Sequence, residues 1–114
     1  MLNIKDIITE AKAAAYEAAK QEEFKFALAG RNDCCGFAWV NIYSYEGVKL
    51  TGRTKMGKAM KAAGIDQDYL RTFQIWSPAG YPTQNISTHE AGARAAAEVF
   101  TQHGFKAYAG SRLD

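Results

Sequence analysis

The sequence is poor in the residues that build disulfide-bonded or metal-bound folds. Its only cysteines, Cys34 and Cys35, are adjacent, so they form no disulfide framework, and a bond between neighbours is strained. Its only histidines are His89 and His103. A structural zinc site needs about four ligands at close spacing. We therefore predict no metal site and no cofactor.

Strong charge and long apolar runs are also missing. The net charge is only +2, whereas a dedicated duplex-DNA binder needs a dense basic patch to neutralise phosphates. No apolar run approaches the roughly 20 residues that span a bilayer, and the N-terminus lacks the pattern of a signal peptide. We therefore expect a cytoplasmic protein without a membrane partner.

The length and apolar content are those of one folded domain. The chain has 114 residues, of which 47% are hydrophobic, enough for one core at this size. Charged residues make up 23%, which is typical of a folded chain. We predict a single domain over residues 1–114.

The stretch from Gly36 to Tyr45 is the predicted centre of the fold. It alternates with period two, which is typical of a β-strand. One face is small and aliphatic, with Ala38, Val40 and Ile42. The other face is aromatic or polar and consists of Phe37, Trp39, Asn41, Tyr43 and Tyr45. The aliphatic face is suited to packing under helices, whereas the aromatic face is suited to a ligand or another subunit.

Helical periodicity predicts three helices. The first spans residue 3 to about residue 22, and the second runs from about Thr54 to Ala63. The third begins at about Thr88, because Ser87-Thr88-His89-Glu90 has the S-x-x-E pattern of a capping box, and it ends at Gly104.

Two further strands and one ambiguous segment complete the predicted architecture. The strands lie at about Arg71–Trp76 and Phe105–Ala109. Residues 24–29 fit either a short strand, with a hairpin turn at Arg31-Asn32-Asp33, or a continuation of the first helix. We predict an α/β fold, with α+β as the alternative. It has a sheet of three or four strands with helices packed on one face, in the order α-(β)-β-α-β-α-β.

Alternation places both tryptophans on the side of the sheet that faces away from the helices. Trp39, Trp76 and Tyr108 share that side, and tryptophan favours half-exposed surfaces because its ring N–H needs a partner. The alternative is a second small core beneath residues 24–29 or the Ser77–Ser87 loop. The apolar area of this face also predicts a homodimer or larger homo-oligomer.

The Ser77–Ser87 loop suggests a binding site, because it precedes a helix start, where an anion is favoured. We predict a small polar ligand such as a nucleotide, with its negative group on the helix N-terminus and its flat part stacked on a tryptophan. A short single-stranded nucleic acid is a less favoured partner. The candidate ligand-binding residues are Arg31, Trp39, Trp76, Ser77, Gln84, Asn85, His89, Tyr108 and Arg112.

The predicted second helix has a basic outer face. It carries Lys55, Lys58 and Lys61, and Lys49 and Arg53 lie just before it. We favour a solvated charged face, and a phosphate-contacting patch is the alternative.

Motifs of catalysis are absent. There is no glycine-rich phosphate loop and no H-E-x-x-H, because Ala-Gly-Ala follows His89-Glu90. A dyad of Cys34 or Cys35 with His89 or His103 is the remaining enzyme hypothesis. We assign no catalytic residue and favour a non-enzymatic binding module. The alternatives are a module that docks a protein through the aromatic face and a small Cys/His enzyme.

Three stretches resemble short, uncharacterised proteins of tailed bacteriophages. They are Cys35-Gly36-Phe37-Ala38-Trp39-Val40, Ile75-Trp76-Ser77-Pro78 and Gly110-Ser111-Arg112-Leu113-Asp114. The resemblance covers about residues 33–114 and brings no known activity. It implies expression in a bacterial host cytoplasm and an accessory or host-interacting role, such as sequestering a host signalling nucleotide or docking a host protein.

Overall fold

The structure, a computed structural model, describes residues 3–30 and 34–114. The helices are α1 (Ile4–Ala29), α2 (Lys55–Ala62) and α3 (Ile86–Gln102), and the strands are β1 (Gly36–Tyr45), β2 (Val48–Lys49), β3 (Asp66–Gln67), β4 (Phe73–Trp76) and β5 (Phe105–Leu113). The predicted combination of helices packed on a small sheet is confirmed. The sheet has five antiparallel strands rather than three or four, because β2 and β3 contribute two residues each.

The ambiguous segment 24–29 is helical and belongs to α1. The side chain of Asn3 caps this helix by accepting a hydrogen bond from the backbone N–H of Lys5 at 3.0 Å. Gly30 ends it in the left-handed conformation at φ 65°, where glycine carries no steric penalty. The strand alternative is therefore wrong, and the hairpin turn proposed with it lies outside the described residues.

β1 is the central strand and has neighbours along both edges. On one edge β5 pairs with its whole length, from Gly36↔Leu113 to Tyr45↔Phe105, with a bulge after Ile42. On the other edge β4 pairs with residues 39–42 and β2 with residues 44–45. β3 extends the sheet beyond β4. β5 is longer than the predicted strand, since it continues past Ala109 to Leu113.

The aliphatic face of β1 is buried under the helices, as predicted. Ala38, Val40 and Ile42 are at most 1% exposed. All three helices contribute to the same core cluster, with Ala11 of α1 and Met60 of α2 among its members. The many alanines of α1 and α3 allow these helices to approach closely, so the helical layer covers one face of the sheet. No helix within the described ranges is long and apolar enough to cross a membrane.

The capping-box prediction for the third helix is wrong. α3 begins at Ile86 with Asn85 as its N-cap, so Thr88 lies inside the helix, where its side chain is fully buried. The carboxylate of Glu90 instead accepts a hydrogen bond from the hydroxyl of Ser111 at 2.5 Å. Asn85 and Thr88 at the start of α3 donate hydrogen bonds to Glu23 of α1, and a local motif does not contain these contacts.

Candidate functional site

The side of the sheet opposite the helices carries a continuous set of large side chains. Residues paired across strands share a face. The register pairs Trp39 with Trp76 and Phe37 with Arg112, and it places Tyr108 opposite Asn41. We call the following set the aromatic face: Phe37, Trp39, Tyr43, Trp76, Tyr108 and Arg112.

The rings of the aromatic face contact one another in two groups. The ring centroids of Trp39 and Trp76 are 5.0 Å apart at an interplanar angle of 38°, and Phe37 meets Trp76 edge-on at 6.1 Å. Tyr43 and Tyr108 form a second pair at 6.0 Å. Such separations are those of favourable aromatic pairs, which hold each other in place.

The Trp39 indole lies directly over the backbone of β5 at Gly110. A Cβ at residue 110 would be 2.5 Å from Trp39 Nε1. Glycine is therefore required for this close approach of the indole to the β5 backbone.

A chain of side-chain hydrogen bonds holds the second tryptophan. Trp76 Nε1 donates to Gln74 Oε1 at 2.5 Å, and Gln74 Nε2 donates to Asn41 Oδ1 at 2.9 Å. This network orients the Trp76 ring. Within the described residues the side-chain nitrogen of Asn41, Nδ2, makes no hydrogen bond. It is therefore a donor available beside the rings.

Arg112 supplies a positive charge at one end of the aromatic face. Its guanidinium carbon is 5.9 Å from the centroid of the Phe37 ring, a cation–π distance. The residue lies within β5 rather than in a tail, and it is exposed.

The aromatic face is open to solvent. Phe37 is 37% exposed, Tyr43 41%, Trp76 48% and Tyr108 55%. The alternative of a second small core beneath residues 24–29 or the Ser77–Ser87 loop is therefore wrong for this surface. Exposed rings in contact with a guanidinium and an amide donor can bind a flat, polar molecule.

The N-terminus of α3, where we predicted the negative group of a ligand, is occupied by the carboxylate of Glu23. The Glu23 carboxylate accepts hydrogen bonds from the Thr88 hydroxyl at 2.6 Å, from Asn85 Nδ2 at 3.1 Å and from the Thr83 hydroxyl at 3.2 Å. The Thr88 hydrogen bond is the largest of the effects that lower the pKa of Glu23, and they prevail over desolvation, which raises it. A negative charge already occupies this helix end, so a second anion is disfavoured there.

Two of the predicted ligand-binding residues, His89 and Asn85, instead make buried hydrogen bonds within this cluster. His89 is 8% exposed, and its Nε2 lies 2.8 Å from the Thr83 carbonyl oxygen, to which it donates. Asn85 is equally buried and binds Glu23. Asn85 therefore joins the start of α3 to α1, and His89 joins α3 to the loop before it.

The other predicted ligand-binding residues are Ser77, Gln84 and Arg31. Ser77 follows Trp76 directly, and its backbone N–H donates to the Ala38 carbonyl at 3.0 Å. Gln84 is exposed and accepts a hydrogen bond from the Cys35 thiol at 3.3 Å. Arg31 lies outside the described residues. The structure thus brings together Trp39, Trp76, Tyr108 and Arg112 of the predicted set.

The candidate ligand-binding residues predicted from the sequence left out four residues that the structure makes important. Phe37, Asn41 and Tyr43 were on the predicted aromatic side, and alternation was the signal that identified their side. Glu23 had no local signal, because its partners are sixty or more residues away along the chain.

The cysteines and histidines are not paired with each other. Both thiols are free and exposed. His103 Nε2 lies 2.9 Å from Glu10 Oε1, and His89 contacts Thr83. Across residues 3–30 and 34–114 no cluster of three or more His, Cys, Asp or Glu side chains is placed to hold a metal ion.

No protein-family model matches this chain, and no curated protein or solved structure matches it either. A functional assignment therefore depends on the chemistry of the residues themselves.

Proposed function

We propose that this protein is a non-enzymatic binding module that holds the flat ring of a small polar ligand, such as a nucleotide, on the aromatic face. The observation that supports this most directly is the contact between Trp39 and Trp76, whose centroids are 5.0 Å apart on an uncovered sheet surface. Preorganised rings bind a planar group at low entropic cost, since few rotamers are lost.

The proposed ligand uses three kinds of contact. Its ring stacks on Trp76, an interaction worth about 1–3 kcal/mol per base. A negative group of the ligand binds the guanidinium of Arg112, and the Asn41 amide donates to an acceptor on the ring edge. This places the ligand on the sheet rather than at the N-terminus of α3, where the Glu23 carboxylate lies.

Tryptophan fluorescence provides the test, because both tryptophans of the chain belong to the aromatic face. Titration with AMP, GMP, CMP and UMP should change the emission for at least one of them. Trp76→Ala should weaken binding, measured by calorimetry, by about 1–3 kcal/mol. Phe24→Ala is the matched control, since Phe24 is an exposed aromatic residue on α1 and should leave affinity unchanged. If no nucleotide changes the emission or gives heat, the proposal is wrong.

Arg112→Ala separates binding from folding. The side chain is exposed on β5, so its removal should reduce affinity while shifting the melting temperature little. A variant that unfolds would show that Arg112 supports the sheet rather than the ligand.

The ligand itself can be identified from protein expressed in bacteria. Denaturation should release a small molecule that mass spectrometry identifies. In a phage-infected host, such a module would sequester a host signalling nucleotide, in agreement with the resemblance to tailed-phage proteins.

A second candidate function is docking of a host or phage protein, and the width of the aromatic face favours it. The face extends over β5, β1 and β4, which is more than one ring covers. Substituting Tyr43 and Tyr108 together by Ala should abolish such docking and leave nucleotide binding at the Trp39–Trp76 pair intact. If the double variant still docks the partner protein and loses nucleotide binding, the docking function is excluded.

A further inference from the structure

A concave surface separate from the aromatic face lies between the end of β2, the helix α2 and the turn that joins β3 to β4. The pocket has a volume of about 550 Å³. It is lined by Lys49, Leu50, Thr51, Gly52, Arg53, Lys61, Gln67, Leu70 and Arg71. Four of these side chains are positively charged and none is a carboxylate.

The four cations come from separate segments of the chain. Lys49 lies on β2, Arg53 in the following loop, Lys61 on α2 and Arg71 in the β3–β4 turn. All four are exposed, and within the described residues none of them forms an ion pair. Four unpaired cations on one concave surface create a positive potential that is attractive to a polyanion.

The loop wall of the pocket is held by hydrogen bonds. The Thr54 hydroxyl donates to the Thr51 carbonyl at 3.0 Å, and the Arg53 backbone N–H donates to the Thr51 hydroxyl at 3.2 Å. A Cβ at residue 52 would be 3.0 Å from Lys61 Nζ. The Lys61 ammonium therefore lies close to the loop backbone at Gly52.

The opposite wall is equally well supported. Arg71 has a left-handed backbone with φ 64°, and its carbonyl accepts a hydrogen bond from Gln67 Nε2 at 2.8 Å. The nearby carboxylate of Asp68 accepts hydrogen bonds from the backbone N–H groups of Leu70 and Thr72, both at 2.9 Å. The acid is therefore engaged by the turn and does not line the pocket.

We propose that this pocket binds a polyphosphate group, meaning two or three linked phosphates. A single phosphate carries about −1.5 to −2 charges near neutral pH and would leave two of the cations uncompensated. A diphosphate or triphosphate matches four cations, and the pocket volume is typical of small-molecule sites. Guanidinium groups such as those of Arg53 and Arg71 can bind phosphate oxygens in pairs. The proposal goes beyond the aromatic face and does not depend on it.

Calorimetric titration with inorganic triphosphate tests the pocket. Lys61→Gln and Arg53→Gln should each weaken binding at least about tenfold, since each removes a charged hydrogen-bond donor. Lys58→Gln is the matched control, because it removes the same charge from an exposed position of α2 that does not line the pocket. Its affinity should stay within about twofold of the parent protein.

Two sources of the same phosphate chemistry can be distinguished in parallel. Inorganic triphosphate is titrated in the presence of a thymidine oligonucleotide. If the oligonucleotide lowers the apparent affinity for triphosphate, the nucleic-acid backbone also binds in the pocket, and if the affinity is unchanged, the pocket takes the free polyphosphate alone. Loss of affinity by the same factor in Lys58→Gln and Lys61→Gln, or no binding of triphosphate to the parent protein, would overturn the proposal. Trp76→Ala should keep its triphosphate affinity, so failure of this pocket and failure of the aromatic face give different results.

Discussion

The Thr88 hydroxyl donates a 2.6 Å hydrogen bond to the Glu23 carboxylate and thereby joins the first turn of α3 to α1. The same carboxylate binds Asn85 and Thr83, so one acid anchors both the helix start and the loop before it. These polar contacts add to the apolar packing of the two helices in the core cluster. We expect this cluster to be important for stability.

Glu23→Gln should lower the free energy of unfolding by about 1–3 kcal/mol, because hydrogen bonds to a charged acceptor are lost or weakened. Urea denaturation followed by circular dichroism measures the change. Glu22→Gln is the neighbouring control. Among the described residues, Glu22 pairs with Lys25 on the helix surface at 3.5 Å, so its substitution should cost less than about 0.5 kcal/mol. Equal effects of the two substitutions would contradict the role given to Glu23.

Acid should destabilise the protein through the same residue. The pKa of Glu23 is lowered in the folded protein, first by the Thr88 hydrogen bond, so the folded state favours the ionised carboxylate. Its contribution is fully present above the unperturbed value of about 4.3 and is lost as the pH falls through the lower folded value. The parent protein should therefore lose its stability advantage over Glu23→Gln on acidification. An advantage that stays constant between about pH 6 and about pH 3 would show that ionisation of Glu23 is irrelevant.

Gly110→Ala should displace the Trp39 ring. The new methyl group would lie 2.5 Å from Nε1 and 2.7 Å from Cε2 of the indole, and such overpacking typically costs about 1–3 kcal/mol. The tryptophan emission spectrum should shift, and ligand affinity on the aromatic face should fall. An unchanged spectrum and stability would mean that the indole does not lie on the backbone at this position.

The expected homodimer remains a prediction. We expect it to form through the Tyr43–Tyr108 part of the aromatic face, which leaves the Trp39–Trp76 pair open to a ligand. Light scattering over increasing protein concentration should show a dimer mass in the parent protein. Tyr108→Glu should yield a monomer, because it introduces a charge among exposed rings. Tyr69→Glu is the control, since Tyr69 is 92% exposed and outside the face. A monomer mass at all concentrations would refute the prediction.

The central strand was the most predictable part of the fold. Alternation indicated correctly which side of residues 37–43 is covered by helices and which is open. The prediction was wrong for Tyr45, because the bulge after Ile42 turns this residue toward the core, where its ring lies 4.6 Å from that of Phe105. The end of the first helix was less predictable. We predicted it at about residue 22, whereas α1 continues to Ala29 and ends at Gly30.

The parts that sequence reasoning could not supply depend on contacts between distant segments. Glu23 is unremarkable in its own helix, and its role appears only when α3 is packed beside it. The basic pocket has the same origin. The sequence placed Lys49 and Arg53 beside the basic helix that carries Lys61, but only the structure adds Arg71 to them. Short strands such as β3 contain too few residues for a periodic signal.

The pairing of β1 with β5 along its full length has a consequence for synthesis of the chain in the cell. The N-terminal part emerges from the ribosome first, so one long edge of β1 has no partner until residues 105–113 have been made. An unpaired strand edge is a template for intermolecular association. Nascent chains and fragments that lack β5 are therefore expected to be substrates for chaperones or to aggregate, whereas chains that contain it close the edge themselves.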